Sequence, residues 1–229
     1  MSASLSQTEG QQMTAKIIAV CNQKGGSGKT TLSMQLAGAM ARRKKGVLVV
    51  DADPQGTATR WASSAEGRPF PAPVVGLSVA GAKVHREVAK FVENYDYIIV
   101  DCPPAADSAV PQSALLVADL ALVPVILSAL DMWATVGIRE VIQNVGDINE
   151  GLKSRLVINQ CQPNTSLSKE IVKILPEFGI EACKTRVHLR QVYKQSAVDG
   201  QTVHDYGAKA APAIEEVEAL TDEVIKILR

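Results

Sequence analysis

The sequence predicts an α/β fold with a mostly parallel central sheet and helices on both of its faces. Stretches typical of strands alternate with stretches typical of helices along the 229 residues. The strand candidates are continuous apolar runs, such as VLVVDAD at 47–53, which are typical of strands buried on both faces. A parallel sheet joined by crossover helices satisfies both observations. No repeat or linker interrupts the pattern, so we expect a single domain at 15–229 that follows a flexible polar tail at 1–14.

The predicted elements follow the hydrophobic periodicity of the chain. We expect strands at 16–22, 47–53, 95–104, 120–127 and 154–161, with a short segment inside the Pro/Gly-rich connection 67–76. We expect helices at 29–44, 81–94, 107–118, 132–150, 166–179 and 211–229. The first helix places Leu32, Leu36 and Met40 on one side, and Gly46 can end it after four consecutive cationic residues. Ser166 can cap the fifth helix, and the last helix is amphipathic.

The composition favours a globular protein and argues against several classes of function. Apolar residues make up 46% of the chain, and 24 basic side chains balance 24 acidic ones, so any nucleic-acid surface must be local. No apolar run is long enough for a membrane span, and the polar tail does not resemble a signal peptide. The four cysteines lack C-x-x-C spacing and are typical of a reducing, cytoplasmic setting; they are Cys21, Cys102, Cys161 and Cys183.

The segment CNQKGGSGKTT at 21–31 gives the strongest indication of function. Gly28, Lys29 and Thr30 fit the end of the phosphate-loop pattern G-x-x-x-x-G-K-[ST], but the pattern requires glycine where this chain has Gln23. The segment lies between a predicted strand and a predicted helix, where successive N–H groups point at an anion. We expect Lys29 to reach the terminal phosphates and the Thr30 hydroxyl to hold Mg²⁺. The predicted nucleotide-binding residues of the loop are Gly25, Gly26, Ser27, Gly28, Lys29, Thr30 and Thr31.

Acidic residues follow two of the other predicted strands. Asp51 and Asp53 end the run VLVVDAD, and Asp101 follows the run YIIV. In a parallel sheet the ligand lies beyond the carboxyl ends of the strands, so we expect these acids to meet the loop there. Acids at strand ends can also simply cap loops. Together with the loop, however, they predict Mg²⁺ held by Thr30 and, through water, by Asp51 and Asp101.

The lysine-rich loop resembles a known variant of the phosphate loop. K-G-G-x-G-K-T at 24–30 is similar to the deviant Walker A motif of the ParA/MinD ATPases, and the resemblance covers nearly the whole chain from residue 16 onward. It implies a deviant Walker A P-loop NTPase in which two protomers enclose two ATP molecules, with Lys24 as the signature lysine that reaches the facing nucleotide. DADPQGTATRW at 51–61 resembles the family's switch segment, whose second acid, here Asp53, positions the attacking water. The resemblance thus implies Lys24, Lys29 and Asp53 as catalytic residues, with ATP and Mg²⁺ as cofactors.

The segment RQVYKQSAVDGQTVHDYG at 190–207 is similar to the C-terminal segment of small ParA-type, ParF-like partition ATPases. The resemblance implies a cytoplasmic, nucleoid-associated homodimer, with or without further polymerisation. It also implies binding to DNA without sequence preference, stimulation by a small ParB/ParG-like adaptor protein, and segregation of plasmid or chromosomal DNA. Asn159 matches an adenine-contacting position of relatives, although Asn is also a common turn former. The candidate DNA contacts are Lys184, Arg186, Arg190 and Lys194, although solvated surface charges would give the same pattern.

Several alternatives share the phosphate loop. A ParA-like ATPase can position a protein cargo, such as a carboxysome or a chemoreceptor array, and the sequence does not distinguish these cargoes. A MinD-like membrane-cycling regulator needs a basic amphipathic C-terminal helix, whereas this helix is acidic, so we expect no membrane partner. A metal-cluster carrier of the same superfamily needs paired cysteines. A phosphate-loop metabolic enzyme has little beyond the loop in its favour.

Overall fold

The computed structural model describes residues 14–104, 108–162 and 175–229. In this part of the chain seven parallel strands form one sheet, in the order β3-β2-β4-β1-β5-β6-β7. The strands are β1 (Lys16–Val20), β2 (Val47–Asp51), β3 (Val74–Gly76), β4 (Tyr97–Asp101), β5 (Leu120–Val125), β6 (Lys153–Cys161) and β7 (Ala182–His188). The predicted α/β fold is confirmed. The predicted tail up to residue 13 and most of the predicted helix 166–179 lie outside the described residues.

Helices pack on both faces of this sheet. The α-helices are α1 (Lys29–Arg42), α2 (Thr57–Ser63), α3 (Val84–Ala89), α4 (Ala109–Leu115), α5 (Ala129–Gly146), α6 (Gln191–Val198) and α7 (Ala211–Leu228), and short 3-10 helices lie at Ser78–Lys83, Leu175–Phe178 and Val203–Ala210. Apolar residues of α3, α4 and α5 pack in one core layer, and those of α1, α2, α6 and α7 pack in the other. Among the described helices, none combines the length and apolar character that a membrane span requires.

The strands that lead into the site end earlier than predicted. β1, β2 and β4 end at Val20, Asp51 and Asp101 rather than at 22, 53 and 104. Two backbone hydrogen bonds continue the strand pairing one residue further: Cys102 N donates to the Val20 carbonyl, and Ala52 N donates to the Asp101 carbonyl. Beyond these bonds the chain leaves the sheet. The polar residues after each apolar run therefore lie in loops at the carboxyl edge.

Among the described strands and α-helices, three lie outside the predicted set, namely β7, α2 and α6. β7 has an alternating pattern, in which Cys183 and Val187 are buried while Lys184 and Arg186 are exposed. An edge strand of this kind lacks the continuous apolar run by which the other strands were predicted. α2 and α6 have only seven and eight residues, which is too short for a clear helical period. The predicted helix 81–94 is limited to α3, and the predicted helix 132–150 begins and ends earlier, as α5.

Candidate nucleotide-binding site

A cleft of about 550 Å³ opens at the carboxyl edge of the sheet, where parallel sheets bind ligands. One part of its wall is the phosphate loop and the start of α1. Another part comes from the end of β7 and from α6. The residues of this second part are His188, Leu189, Arg190, Tyr193, Lys194 and Ala197. A phosphate-binding loop and an amphipathic wall thus share one cavity.

The end of β6 holds the phosphate loop in place. Asn159 Nδ2 donates to the Ser27 carbonyl at 2.7 Å, and Gln160 Nε2 donates to the Gly26 carbonyl at 2.6 Å. Gly28 has a φ of +91°, and a Cβ at this position would lie 2.1 Å from Asn159 Nδ2. Glycine is therefore required at Gly28 both by backbone conformation and by close approach. Asn159 lines the cleft, but the residue is only 3% exposed and its amide is engaged with the loop, so its predicted adenine contact stays a prediction.

The start of the loop is fixed by two other contacts. Asn22 Nδ2 donates to the Pro124 carbonyl at 2.7 Å, and Asn22 Oδ1 accepts from Lys24 N at 3.3 Å. Gln23, the residue that departs from the usual phosphate-loop pattern, packs against Gly137 of α5: a Cβ on Gly137 would lie 2.2 Å from Gln23 Oε1. Gln23 therefore joins the loop to α5. The loop thus has Gln23 where the usual pattern has glycine, and the helix that faces Gln23 has Gly137.

Lys29 lies almost completely buried at the start of α1, with 6% of its surface exposed. Its Nζ donates to the Lys24 carbonyl at 3.0 Å, which directs the ammonium back over the loop. Burial lowers the pKa of Lys29, and the negative charges of Asp101 and Asp53 oppose that shift. An ammonium in such a dry position gains strongly from an anionic phosphate nearby.

Thr30 and Asp101 form the part of the site that suits Mg²⁺. Thr30 Oγ1 donates to Asp101 Oδ2 at 2.6 Å, and Ser33 Oγ donates to Asp101 Oδ1 at 3.1 Å. Burial raises the pKa of Asp101 to about 7, although both hydroxyls favour its ionised form. Among the described residues no group of three or more His, Cys, Asp or Glu side chains could hold a metal ion. The hydroxyl of Thr30 and the carboxylate of Asp101 are oxygen donors of the kind that Mg²⁺ binds, and Mg²⁺ completes its shell with phosphates and water.

The two acids at the end of β2 and in the loop after it have different surroundings. Asp51 is buried, and its Oδ2 accepts from both the N–H and the hydroxyl of Thr59 at 2.8 Å. Asp53 lines the cleft, and its Oδ1 accepts from Gln55 N at 2.8 Å. Asp51 thus anchors α2, whereas Asp53 faces the ligand space. The metal role of Asp51 and the catalytic role of Asp53 both stay predictions.

The four candidate DNA contacts do not share one environment. Lys184 and Arg186 are exposed on β7, whereas Arg190 and Lys194 line the nucleotide cleft. Arg190 Nη2 donates to Glu216 Oε1 at 2.6 Å, so its guanidinium is already engaged. Arg190 and Lys184 also line a shallow surface depression, but Glu215 and Glu216 lie there too. This part of the surface therefore carries both signs of charge.

The predicted nucleotide site did not include Asn22, Ser33 or Gln160. It also did not include the part of the cleft wall that comes from the end of β7 and from α6. Ser33 had a local signal, because it lies one helical turn after Lys29 and so on the same face of α1. Asn22 follows β1 and Gln160 lies near the end of β6, but their partners are more than a hundred residues away in sequence. No local pattern identifies such contacts.

Comparison with known proteins gives a consistent result. The model of the CobQ/CobB/MinD/ParA nucleotide binding domain matches residues 18–203. The chain is 32% identical to "Maintenance of carboxysome distribution protein A" of Halothiobacillus neapolitanus over 209 residues, which cover 91% of this chain and 95% of that protein. It is 28% identical to "Chromosome-partitioning ATPase Soj" of Thermus thermophilus over 240 residues, covering 91% and 94%.

A solved structure supports the fold. The complex of a variant of Cyanothece McdA with ATP superposes with a TM-score of 0.77 at 16% identity, covering 92% of this chain and 96% of that chain. The matched family region contains the phosphate loop, Asp53, Asp101 and most of the cleft wall. The chain therefore belongs to the CobQ/CobB/MinD/ParA nucleotide-binding family, within which it is a ParA/MinD-type P-loop ATPase.

Proposed function

We propose that this protein is a ParA-type positioning ATPase that distributes a protein assembly of the carboxysome type, using non-specific DNA as its support. The single observation that carries this choice of cargo is the similarity to a carboxysome distribution protein along almost the full length of both chains. The identity to the chromosome-partitioning relative is lower over a comparable length. Segregation of plasmid or chromosomal DNA is the second candidate, and this second similarity favours it.

In this proposal ATP closes a homodimer and hydrolysis opens it. Lys29 holds the terminal phosphates of its own nucleotide, and the partner's Lys24 adds a second cation, so that both offset charge that develops during phosphoryl transfer. Asp53, which faces the cleft, orients the attacking water. Thr30 and Asp101 hold Mg²⁺, which supplies further neutralisation of the phosphate oxygens when it is bound. Turnover by the protein alone is slow, and a small adaptor protein stimulates it.

DNA binding in this proposal depends on local cations, because the chain has no net charge. Lys184, Arg186 and Lys194 are exposed, which suits contact with phosphates. Arg190 is engaged with Glu216 and lines the nucleotide cleft, so it is a weaker candidate than the sequence suggested. Phosphate contacts of this kind carry no sequence information, and their strength falls steeply with salt. The protein would accordingly associate with the nucleoid while ATP is bound.

Mobility shifts on two unrelated duplexes test the DNA part of the proposal. With ATP both duplexes should be retarded equally, and ADP should abolish the effect. The double variant Lys184→Ala/Arg186→Ala should bind more weakly than a matched double variant elsewhere on the surface, Arg86→Ala/Lys90→Ala, which removes the same charge from exposed positions of α3 and its end. Sequence-specific binding, or binding without nucleotide, would contradict the proposal.

Deletion of the gene in its native host tests the cargo. A labelled carboxysome shell protein and a labelled plasmid or replication origin are imaged in the same cells. We expect the shell protein to lose its regular spacing while the DNA marker keeps its distribution. Loss of DNA spacing alone would instead favour the segregation candidate.

A further inference from the structure

One carboxylate of α7 organises the wall of the cleft that follows β7. Glu216 Oε1 accepts from Arg190 Nε at 3.1 Å and Nη2 at 2.6 Å, and it lies 2.8 Å from His188 Nδ1. Glu216 Oε2 accepts from His188 N and from Tyr193 Oη, both at 3.2 Å. Three residues of the wall thus depend on one side chain from another helix.

This carboxylate is well shielded from solvent, with 12% of its side chain exposed. Burial by itself would raise the pKa of Glu216, but hydrogen bonds from Arg190 and His188 more than offset this, and the pKa lies below its ordinary value. Glu216 is therefore charged at neutral pH. Loss of that charge would weaken the hydrogen bonds of the half-buried Arg190 and His188 side chains and of the buried Tyr193 hydroxyl, which is costly.

The wall that Glu216 holds has the character expected for the nucleoside part of a nucleotide. His188, Leu189, Arg190, Tyr193 and Ala197 line the same cleft as the phosphate loop. When the phosphates occupy the loop, the sugar and base must contact the remaining wall. An aromatic ring and aliphatic groups beside a few polar atoms are typical of small-molecule sites. Glu216 is outside the set of described residues that line this cleft, so it acts through the wall.

We propose that Glu216 is a positioning residue for ATP binding, which fixes the wall that receives the nucleoside while leaving the phosphate loop unaffected. Neutralisation of Glu216 should then weaken the binding of every ligand that has a nucleoside, and it should leave unchanged the binding of a ligand that has only phosphates. ATP and ADP should lose affinity by the same factor, whereas inorganic tripolyphosphate should not. A general loss of folding would reduce all three affinities together.

Glu223 provides a matched control on the same helix. Its carboxylate accepts from the N–H groups of Lys184 at 2.7 Å and Thr185 at 3.0 Å, so it also ties α7 to β7. Like Glu216, it has a pKa below its ordinary value, since these hydrogen bonds outweigh the effect of burial. None of these three residues is among the described residues that line the cleft. Glu223→Gln thus perturbs the contact between α7 and β7 at a point that lies outside the cleft.

The experiment measures binding of ATP, ADP and tripolyphosphate by calorimetry to the full chain and to the variants Glu216→Gln, Glu223→Gln and Tyr193→Phe. For Glu216→Gln we expect roughly tenfold weaker ATP and ADP with unchanged tripolyphosphate, as for the loss of a charged hydrogen-bond acceptor. Tyr193→Phe removes the hydroxyl that contacts Glu216 at 3.2 Å and the Ala213 carbonyl at 3.3 Å and keeps the ring, so it should show the same pattern with a smaller loss. Glu223→Gln should stay within about twofold of the wild type for all three ligands.

Three results would overturn the proposal. One is wild-type affinity of Glu216→Gln for ATP, and another is an equal loss for tripolyphosphate. A third is an equal loss of ATP affinity in Glu223→Gln, because the effect would then belong to the contact between α7 and β7 in general. If Glu216→Gln does not fold, the pattern in Tyr193→Phe decides: a selective loss for ATP and ADP supports the proposal, and no loss or an unselective one overturns it.

Discussion

The side-chain amide of Asn159 donates a hydrogen bond of 2.7 Å to the main-chain carbonyl of Ser27, so the end of β6 holds the phosphate loop. The two residues are 132 positions apart in sequence. The same amide nitrogen would lie 2.1 Å from a Cβ on Gly28, so the loop and β6 are in direct contact. Asn159 therefore has a structural contact to the loop in addition to the base contact predicted for it.

Asn159→Ala separates these two roles. If its main role is to hold the loop, ATP and inorganic tripolyphosphate should both bind roughly tenfold more weakly, because a buried carbonyl loses its donor and the loop loosens. If its main role is to contact adenine, only ATP should lose affinity. We expect the first result. Calorimetry with the two ligands distinguishes them, and a loss confined to ATP would restore the base contact as the main role.

Gly137→Ala should weaken nucleotide binding even though alanine is the better helix former. The new Cβ would lie 2.2 Å from Gln23 Oε1, so the end of the Gln23 side chain must move, and the contact by which it joins the loop to α5 is lost. Gly146→Ala, in the last position of the same helix, meets no heavy atom within 4 Å and should gain up to about 1 kcal/mol of stability. Equilibrium ATP binding and urea unfolding measure the two effects.

The double variant Gln23→Gly/Gly137→Ala should recover most of the ATP affinity that Gly137→Ala loses. It removes the side chain that the new methyl group displaces, and it restores the usual glycine of the phosphate-loop pattern. A double variant no better than Gly137→Ala would show that the helix, rather than Gln23, is disturbed.

Lys24→Ala and Lys29→Ala should differ in the step that they block. Lys29 is buried beside the loop, so its loss should reduce ATP affinity of the monomer by at least tenfold. Lys24→Ala should keep monomeric ATP binding while losing ATP-dependent dimerisation and hydrolysis. Calorimetry and light scattering on the same samples measure both steps. If Lys24→Ala dimerised normally, Lys24 would act on the nucleotide of its own protomer rather than on that of the partner.

Asp53→Ala should bind ATP and dimerise but hydrolyse ATP slowly, so that the dimer accumulates. The expectation follows from the position of Asp53 on the cleft wall, where its carboxylate is held by Gln55 N. General-base or water-positioning groups typically contribute a factor of about 10² to 10⁴ in rate. Sizing chromatography with ATP, together with phosphate release, checks this. A variant that stays monomeric with ATP would contradict the assigned role.

Asp205→Asn should reduce stability at neutral pH and flatten its decline in acid. Burial would raise the pKa of Asp205, but the N–H and hydroxyl of Thr202 and the guanidinium of Arg42 hold it below its ordinary value. A carboxyl group with a depressed folded-state pKa stabilises above its unfolded pKa of about 4 and loses that contribution as pH falls further. Loss of this capping box should cost on the order of 1 kcal/mol at pH 7.

Urea midpoints between pH 3 and pH 7 measure this effect, because this range includes the ordinary carboxyl pKa of about 4. Glu66→Gln, at an exposed carboxylate that lines one surface depression together with Asp205, removes the same charge and serves as the control. Its profile should follow that of the wild type. If the stability of Asp205→Asn fell in acid as steeply as that of the wild type, other carboxylates would dominate the loss of stability in acid.

Much of the fold follows from the sequence alone. Five buried strands were recognisable because a strand covered on both faces needs a continuous apolar run, as in Val47–Asp51. The loop was recognisable because phosphate binding needs glycines, Lys29 and Thr30 within one short stretch of chain. The edge strand β7 was not, since its apolar and charged residues alternate in a short segment.

The tertiary structure decided which distant residues meet at the site. Strand order brings Asn159 to Ser27 and Pro124 to Asn22, and each pair is more than a hundred residues apart. Arg190 was predicted to contact DNA, and that contact stays a prediction; the tertiary structure brings Glu216 of α7 to it and places it in the cleft wall. Local sequence determines which segments are strands, helices and loops, because those preferences depend on neighbouring residues. Contacts between segments depend on how the strands are ordered in the sheet, which only the folded chain specifies.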